Sequence, residues 1–261
     1  WYDNAAFKGN PVSVPAAKGV YYAKWATDTS ASGTCGETAN WSYRRSTKTL
    51  TVSGSGEMES YADANSTPWK DLDIENVVIS DAITAIGDNA FNGKNISNVV
   101  IPNVTSVGAN AFANLPEKSV IYVNDDTLFE NIDSSITKSK TAVCHLNGSV
   151  LADTQLKAGG FGTPAKEGLA FAGWRKILKS GELDEYAPTK EPAAGEKYKA
   201  LFSEKSGKCG SNATWSYDDA SGTLTIGGTG RMYDYTSILA DNPNPRPWND
   251  IAFFIKKGVI E

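Results

Sequence analysis

The sequence is poor in the residues from which most active sites are built. Its 261 residues include one histidine, three cysteines and two methionines. No CxxC pair or cysteine–histidine cluster suggests zinc, and an active site needs converging nucleophiles, bases or metal ligands. We expect His145, in a predicted strand beside a turn, to be a surface or half-buried strand residue rather than a catalytic base. The sequence therefore predicts a protein that is not an enzyme and has no cofactor or metal site.

Long apolar runs and basic clusters are also missing. No run of about 18 apolar residues is present, so no segment is expected to insert into a membrane. The formal net charge is −5, and no Lys/Arg cluster overrides it. This charge argues against nucleic acid or anionic lipid as a partner. A hydrophobic content of 40% with 21% charged residues is typical of an ordinary globular protein.

The most informative feature that is present is an internal duplication. Cys35 and Cys209 lie 174 residues apart, and Met58 and Met232 keep the same offset. The matched rare residues of the two copies are Cys35, Trp41, Met58 and Trp69 in the first and Cys209, Trp215, Met232 and Trp248 in the second. Duplicated modules usually hold, span or bind, and rarely catalyse.

The matched residues carry two further expectations. Equivalent cysteines lie in separate copies and Cys144 is isolated, so we expect three unpaired, buried thiols. The paired tryptophans are expected to be core anchors, with carbohydrate stacking as the alternative.

Both ends of the sequence fall inside a repeated unit, which indicates a segment of a longer array. Trp1 aligns with Trp174, and residues 255–261 match only the start of the stretch that follows the first copy. We expect residues 255–260 to pair with another chain or to be covered by residues 1–25, because an unfinished sheet exposes an edge strand.

A shorter period begins near residue 74. The sequence from Ile83 to Phe91 recurs from Val104 to Phe112, and strand-like triplets at 77–79, 99–101 and 120–122 fall between these turns. A period of about 20–29 residues with one strand and one short helical turn is typical of leucine-rich repeats. Gly87 and Gly108 are expected to form the tight bends. The hairpin within residues 33–69 is expected to cap this short solenoid, with the strand at 50–52 in the same sheet.

Strand alternation predicts a binding face on this sheet. If Val77, Val99 and Val120 point inward, their neighbours point outward. The predicted binding residues on the concave face are Asn76, Val78, Asn98, Val100, Ser119 and Ile121. Solenoids generally bind partners on that face. A neighbouring module that covers this row is the alternative. Under the binding hypothesis, Val100→Asp abolishes binding without unfolding the protein.

Residues 138–203 are expected to form a third kind of unit. An Asn147-Gly148 hairpin turn between two strands is predicted near its start. The unit then contains Phe171-Ala-Gly-Trp174 and ends with a strand through Phe202. A compact, mostly β module is therefore expected here, after a connecting segment with a short helical turn at 124–137.

The order of these motifs resembles two families. Gly-x-Cys-Gly, Trp, Gly-x-Gly, Met and Pro-Trp, followed by Ile-Gly-x-x-Ala-Phe turns, resembles BspA-like leucine-rich-repeat bacterial surface proteins. The unit with Phe171-Ala-Gly-Trp174 is similar to the Listeria–Bacteroides repeat, the small β-grasp module of internalin B-type repeats.

The resemblance implies a mainly β fold with short helical turns, in which a short leucine-rich-repeat solenoid capped by a β-hairpin alternates with small β-grasp modules. The predicted units are 1–25 (the C-terminal half of a β-grasp repeat), 26–126 (capping hairpin and leucine-rich repeats), 138–203 (a complete β-grasp repeat) and 204–261 (a truncated second copy).

The resemblance also implies a secreted or cell-wall-associated bacterial protein. Its function would be adhesion or ligand binding, with a host or matrix protein or a glycan as partner. Two alternatives remain, a structural stalk that holds a distant domain and an accessory region of a large secreted hydrolase.

Overall fold

The computed structural model describes residues 31–132, 141–185, 187–188, 191–236 and 244–261. Strands predominate in this part of the chain, so the predicted mainly β class with short helical turns is confirmed. The strands are β1 (Ala31–Thr34), β2 (Ala39–Arg44), β3 (Thr49–Gly54), β4 (Gly56–Glu57), β5 (Asn76–Ile79), β6 (Ile83–Ile86), β7 (Asn98–Ile101), β8 (Ser106–Val107), β9 (Val120–Val123), β10 (Ala142–His145), β11 (Leu169–Lys176), β12 (Lys197–Glu204), β13 (Ser206–Lys208), β14 (Gly210–Asp218), β15 (Thr223–Met232) and β16 (Lys257–Ile260). The helical elements are α1 (Asp126–Asn131) and 3₁₀ turns at Asp153–Gln155 and Asn249–Phe254.

A nine-stranded sheet with the order β1-β2-β3-β5-β7-β9-β10-β12-β11 forms the main layer. Its central strands from β3 to β12 are parallel, while β1, β2 and β11 add antiparallel pairs at the two ends. A smaller parallel sheet, β4-β6-β8, lies on the other side of each repeat. The prediction that the strand at 50–52 belongs to the solenoid sheet is confirmed, because β3 pairs with β5.

The space between these two layers is the first hydrophobic core. Val77, Val99 and Ile121 point into it from successive strands, and all three are fully buried. Phe91 and Phe112 stack with ring centroids 5.5 Å apart, and Trp69 stacks on Phe91 at the same separation. The Trp69 indole N–H donates to the Ala90 carbonyl at 2.8 Å. The tryptophan thus closes one end of the aromatic stack, as expected of a core anchor.

The tight turns of the repeats depend on asparagine as well as glycine. Asn89 and Asn110 have φ of 55° and 56°, whereas neither Gly87 nor Gly108 has a positive φ. A Cβ atom at Gly87 would lie 1.8 Å from the Glu59 carbonyl oxygen. These glycines are therefore needed because successive turns approach closely, and the assignment of the bend itself to them is wrong.

The Asn147-Gly148 turn forms, but the predicted hairpin does not. Both residues have positive φ, 57° and 73°, as this kind of turn requires. The strand before the turn, β10, pairs in parallel with β9 on one side and β12 on the other. The chain after the turn therefore finds no free edge on β10, and Val150 instead forms a bridge with Ala165.

The second copy repeats the capping hairpin in a four-stranded sheet, β13-β14-β15-β16. Its last strand, β16, pairs in parallel with β15, as β5 pairs with β3 in the first copy. This pairing accounts for one edge of β16. Whether residues 1–25 cover the strand lies outside the described residues, as does the half module predicted there.

The predicted units at 26–126 and 138–203 share one sheet. Val143 of β10 aligns with Ile121 of β9 and continues the inward row into the first core. The solenoid sheet therefore continues without interruption into the unit predicted at 138–203, which we call the middle unit. The division at these boundaries and the β-grasp assignment stay predictions.

Candidate functional site on the outer face of the sheet

The candidate site lies on the face of the nine-stranded sheet that points away from the first core, here called the outer face. Along this face the aligned residues are Thr51, Val78, Val100, Tyr122 and Cys144. Sequence reasoning placed Val78 and Val100 correctly on this face. Their burial decides whether the face can bind a partner.

The third repeat strand is in a different register from the predicted one. Ile121, not Val120, aligns with Val99 and points into the first core. The turns repeat every 21 residues, as Ile86 and Val107 show, but the strands repeat every 22. One extra residue between Phe112 and Ile121 reverses which side chains point outward. The assignment of Ile121 to the binding face is therefore wrong.

The outer face is covered at Val100, in the middle of the row of predicted binding residues. Val100 is 2% exposed and packs in a second hydrophobic core with Tyr122, Leu151 and Trp174. The Tyr122 hydroxyl accepts the Gly162 N–H at 2.9 Å. The expectation of an accessible apolar row is therefore wrong at Val100, because the segment after β10 folds back over this face.

The polar row has a structural role as well. The Asn98 side-chain amide donates to the Asn76 side-chain oxygen at 2.9 Å, and Asn76 in turn donates to the Thr47 carbonyl at 3.0 Å. Ser119 donates to the Ile96 carbonyl at 2.6 Å. Asn98 and Ser119 are buried, with 0% and 1% exposure. Of the six predicted residues only Asn76 and Val78 keep partial exposure, and their role in binding stays a prediction.

The accessible part of the outer face lies on the capping hairpin, which the sequence prediction did not single out. Asn40, Ser42 and Arg44 are exposed on β2, opposite the buried side chains of Trp41 and Tyr43. The second copy has the same alternation on β14, with its exposed positions at Asn212, Thr214, Ser216 and Asp218. The Trp-Ser-Tyr pattern at 41–43 is the sequence signal that could have identified this surface.

His145 is more buried than expected, with 5% exposure. Its Nδ1 accepts the Asn147 N–H at 2.9 Å, so Nε2 carries the proton and lies 3.0 Å from Asp126 Oδ1. Burial lowers the pKa of His145, and nearby Lys199 lowers it further. The ring also contacts Phe129 of α1 edge to face. His145 therefore joins α1 to the end of β10 and has no nucleophile beside it among these contacts.

The cysteines and tryptophans follow the sequence expectations. Cys35, Cys144 and Cys209 are free and buried, and burial raises the pKa of each thiol. The four matched tryptophans are at most 7% exposed, which confirms them as core residues. The described residues contain no cluster of three or more His, Cys, Asp or Glu suited to a metal ion. None of their helices is both long and apolar enough to span a membrane.

Comparison with known proteins identifies the solenoid. A model of the BspA-type leucine-rich repeat region matches residues 65–147 with six copies. Residues 65–147 are therefore similar to a BspA-type leucine-rich repeat region. The match includes β10, in agreement with the continuous sheet. BspA-type repeats suggest a surface or binding role, and the repeat family is typically non-catalytic.

The match to a solved structure is partial. A leucine-rich repeat protein from Eubacterium ventriosum ATCC 27560 is 27% identical, with 36% of this chain and 28% of that chain covered and a TM-score of 0.32. This chain therefore spans less than a third of that protein. No curated protein gives a significant match.

Proposed function

We propose that this segment is a rigid, non-catalytic part of a secreted or cell-surface bacterial protein, and that it holds contact surfaces in fixed positions for adhesion. The BspA-type repeats support a surface or binding role. The observation that carries the proposal is the packing of the middle unit against both of its neighbours through a shared sheet and shared cores.

The first junction is the sheet itself. β10 of the middle unit pairs with β9 of the solenoid over four residues. The second core then adds Tyr122 and Trp174, one from each side of the junction, with ring centroids 5.9 Å apart. Bending at this junction would break backbone hydrogen bonds and expose buried aromatic surface.

The second junction joins the middle unit to the second copy, and a single residue separates their strands there. Lys205 alone separates β12 from β13, and its carbonyl accepts the Tyr217 N–H at 2.6 Å. The Lys205 side chain pairs with Asp219. Ala170 and Ala172 of β11 lie in a third hydrophobic core with Trp215 of the second copy. This junction therefore has a backbone contact, an ion pair and a shared core, which together oppose rotation.

Distance measurement between the two copies tests this rigidity. Ser42 and Ser216 are exposed at equivalent positions, so Ser42→Cys and Ser216→Cys can carry nitroxide labels. Double electron–electron resonance should give one narrow distance distribution. Phe254→Ala should broaden it, because Phe254 contacts Phe171 of β11 across the junction.

Phe253→Ala is the matched control, because its side chain is 94% exposed and should not affect the distribution. A broad distribution in the unmodified junction would refute the rigid arrangement. The proposed location is tested separately, since antibodies against the segment should label intact cells of the source bacterium.

The second candidate function is direct adhesion through the accessible outer face, with a host or matrix protein or a glycan as partner. It is favoured by an exposed polar surface at equivalent positions of both copies, in which Ser42 corresponds to Ser216. Val78 and Val259 are equivalent, partly buried positions at the border of this surface. Two copies on one rigid body would allow bivalent binding.

Arrays of glycans and matrix proteins test this candidate. Saturable binding should weaken in Val78→Asp and in Val259→Asp, and weaken most in the double variant. If the folded segment binds nothing on these arrays, the rigid scaffold is left as the function of this region.

A further inference from the structure

A cavity lies at the junction between the middle unit and the second copy, away from the outer face. Its volume is about 230 Å³. Segments of three origins line it, namely residues 155–171 of the middle unit, the junction residue Lys205, and the second copy. We propose that this junction cavity binds one pyranose ring of a glycan. The proposal goes beyond the scaffold function and does not depend on it.

The walls of the cavity are of two kinds. Phe171 and Phe254 provide ring surface, with centroids 6.0 Å apart, and Leu169 adds an aliphatic side. Lys205 and Asp219 form an ion pair on another part of the lining. Small-ligand sites at module boundaries combine such apolar walls with a few polar groups that fix orientation.

This combination suits a neutral, hydroxylated ring. A pyranose has C–H surfaces that pack on aromatic rings, and each of its hydroxyl groups both donates and accepts hydrogen bonds. Lysine only donates and an ionised aspartate only accepts, so the ion pair offers both functions side by side. Lys166 also lines the cavity and adds a second hydrogen-bond donor. The volume is below the ~300–1,000 Å³ typical of drug-sized ligands, which favours a single ring.

The first copy has a cavity that can be compared with the junction cavity. A cavity of the same volume, about 230 Å³, lies beside Tyr43, the counterpart of Tyr217. The Tyr43 hydroxyl donates to the Asp73 carbonyl, whereas Tyr217 donates to the Phe254 carbonyl, so Phe254 occupies the place of Asp73.

Charge distinguishes the two cavities further. Arg45 occupies the position of Asp219, and charged residues form most of the first-copy lining. The junction cavity keeps charged lining residues, namely Lys166, Lys205 and Asp219, but it adds an aromatic wall formed by Phe171 and Phe254. Both cavities have carboxylate acceptors, so the aromatic surface on which a sugar ring packs is what distinguishes the junction cavity.

Saturation-transfer NMR with methyl glycosides of the common hexoses and N-acetylhexosamines tests the proposal on the whole chain. At least one glycoside should bind saturably, with a dissociation constant on the order of 1 mM for so small a ligand. Ala165→Trp should abolish binding, because Ala165 is an exposed lining residue and the larger side chain would fill the cavity. Asp219→Asn should weaken binding by about tenfold through loss of a charged acceptor.

Two further variants complete the design. Arg45→Asn, the matched change in the first copy, should leave binding unchanged. Thr163→Val removes a lining hydroxyl without filling the cavity, and it provides a second reduction in affinity should Ala165→Trp fail to fold.

Three results would overturn the proposal. They are no glycoside binding by the folded chain, binding that persists in a folded Ala165→Trp, and occupation of the cavity by aromatic peptides instead of glycosides. The interlabel distance between Ser42→Cys and Ser216→Cys is a separate readout, so failure of sugar binding is distinguishable from failure of the rigid junction.

Discussion

The burial of Val100 leads to a stability prediction that separates a core residue from a binding residue. Val100 is 2% exposed between the repeat sheet and the segment that contains Leu151 and Trp174. Val100→Asp removes about 2 kcal/mol of apolar burial and places an unpaired carboxylate in a hydrophobic core, which costs several kcal/mol more. The variant should lose at least about 4 kcal/mol of the free energy of unfolding.

Val78→Asp is the matched control for that variant. Val78 is the aligned neighbour of Val100 on the same face, but it is only partly buried. Val78 packs against the edge of the second core, and its substitution should cost about 1 kcal/mol, less than that of Val100, because part of the side chain is already exposed. Val100→Ala removes two methyl groups and should fall between them, at about 2 kcal/mol.

Thermal unfolding followed by circular dichroism checks the predicted order of destabilisation, in which Val100→Asp costs most, Val100→Ala less and Val78→Asp least. For a chain of this size each kcal/mol shifts the melting temperature by about 2–4 °C, so Val100→Asp should lower it by about 10 °C or more. A Val100→Asp protein that melts within about 2 °C of the unmodified chain, yet no longer binds its partner, would refute the burial argument and restore Val100 to an accessible binding row.

Three further predictions concern His145, Gly87 and the cysteines. Burial lowers the pKa of His145 in the folded state. The contribution of the neutral imidazole to stability is therefore complete above the unfolded-state pKa near 6.5 and is lost as the pH falls through the lower folded-state pKa. Between pH 7.5 and 5 the urea midpoint should fall less in His145→Gln than in the unmodified chain, and an equal fall in both proteins would contradict this. Gly87→Ala should lower the melting temperature strongly because its Cβ would meet the Glu59 carbonyl, whereas Gly258→Ala, with nothing within 4 Å, should be nearly neutral. The buried thiols should react slowly with a thiol reagent at pH 8, since the pKa of Cys35 is raised to about 11, and all three cysteines should react in urea; rapid reaction of a native thiol would contradict their burial.

Local patterns were sufficient to predict much of the fold. The order Trp41-Ser-Tyr43 is typical of a strand with one buried side, and β2 has that pattern. The duplication predicted two equivalent hairpins, which occur as β2–β3 and β14–β15. These predictions succeed because side-chain direction along a strand depends only on the backbone repeat of two residues.

The register of β9 could not be read from the same patterns. Val120, Ile121 and Tyr122 are all apolar and all buried, so alternation does not distinguish their two faces. The turn spacing of 21 suggested one register, but the strand spacing of 22 produced the other. Pairing with β7 and β10 decides the register, and those contacts come from residues more than 20 positions away.

The sequence by itself determined the mainly β class, the two copies, the buried tryptophans and the scarcity of catalytic residues. Only the tertiary structure decided which surfaces remain accessible. Val78 and Val100 have the same local pattern and lie on the same face, yet the segment with Leu151 and Trp174 buries Val100 and leaves Val78 partly exposed. Periodicity specifies which side chains share a face, whereas the segment that covers that face is set by long-range packing of apolar surface.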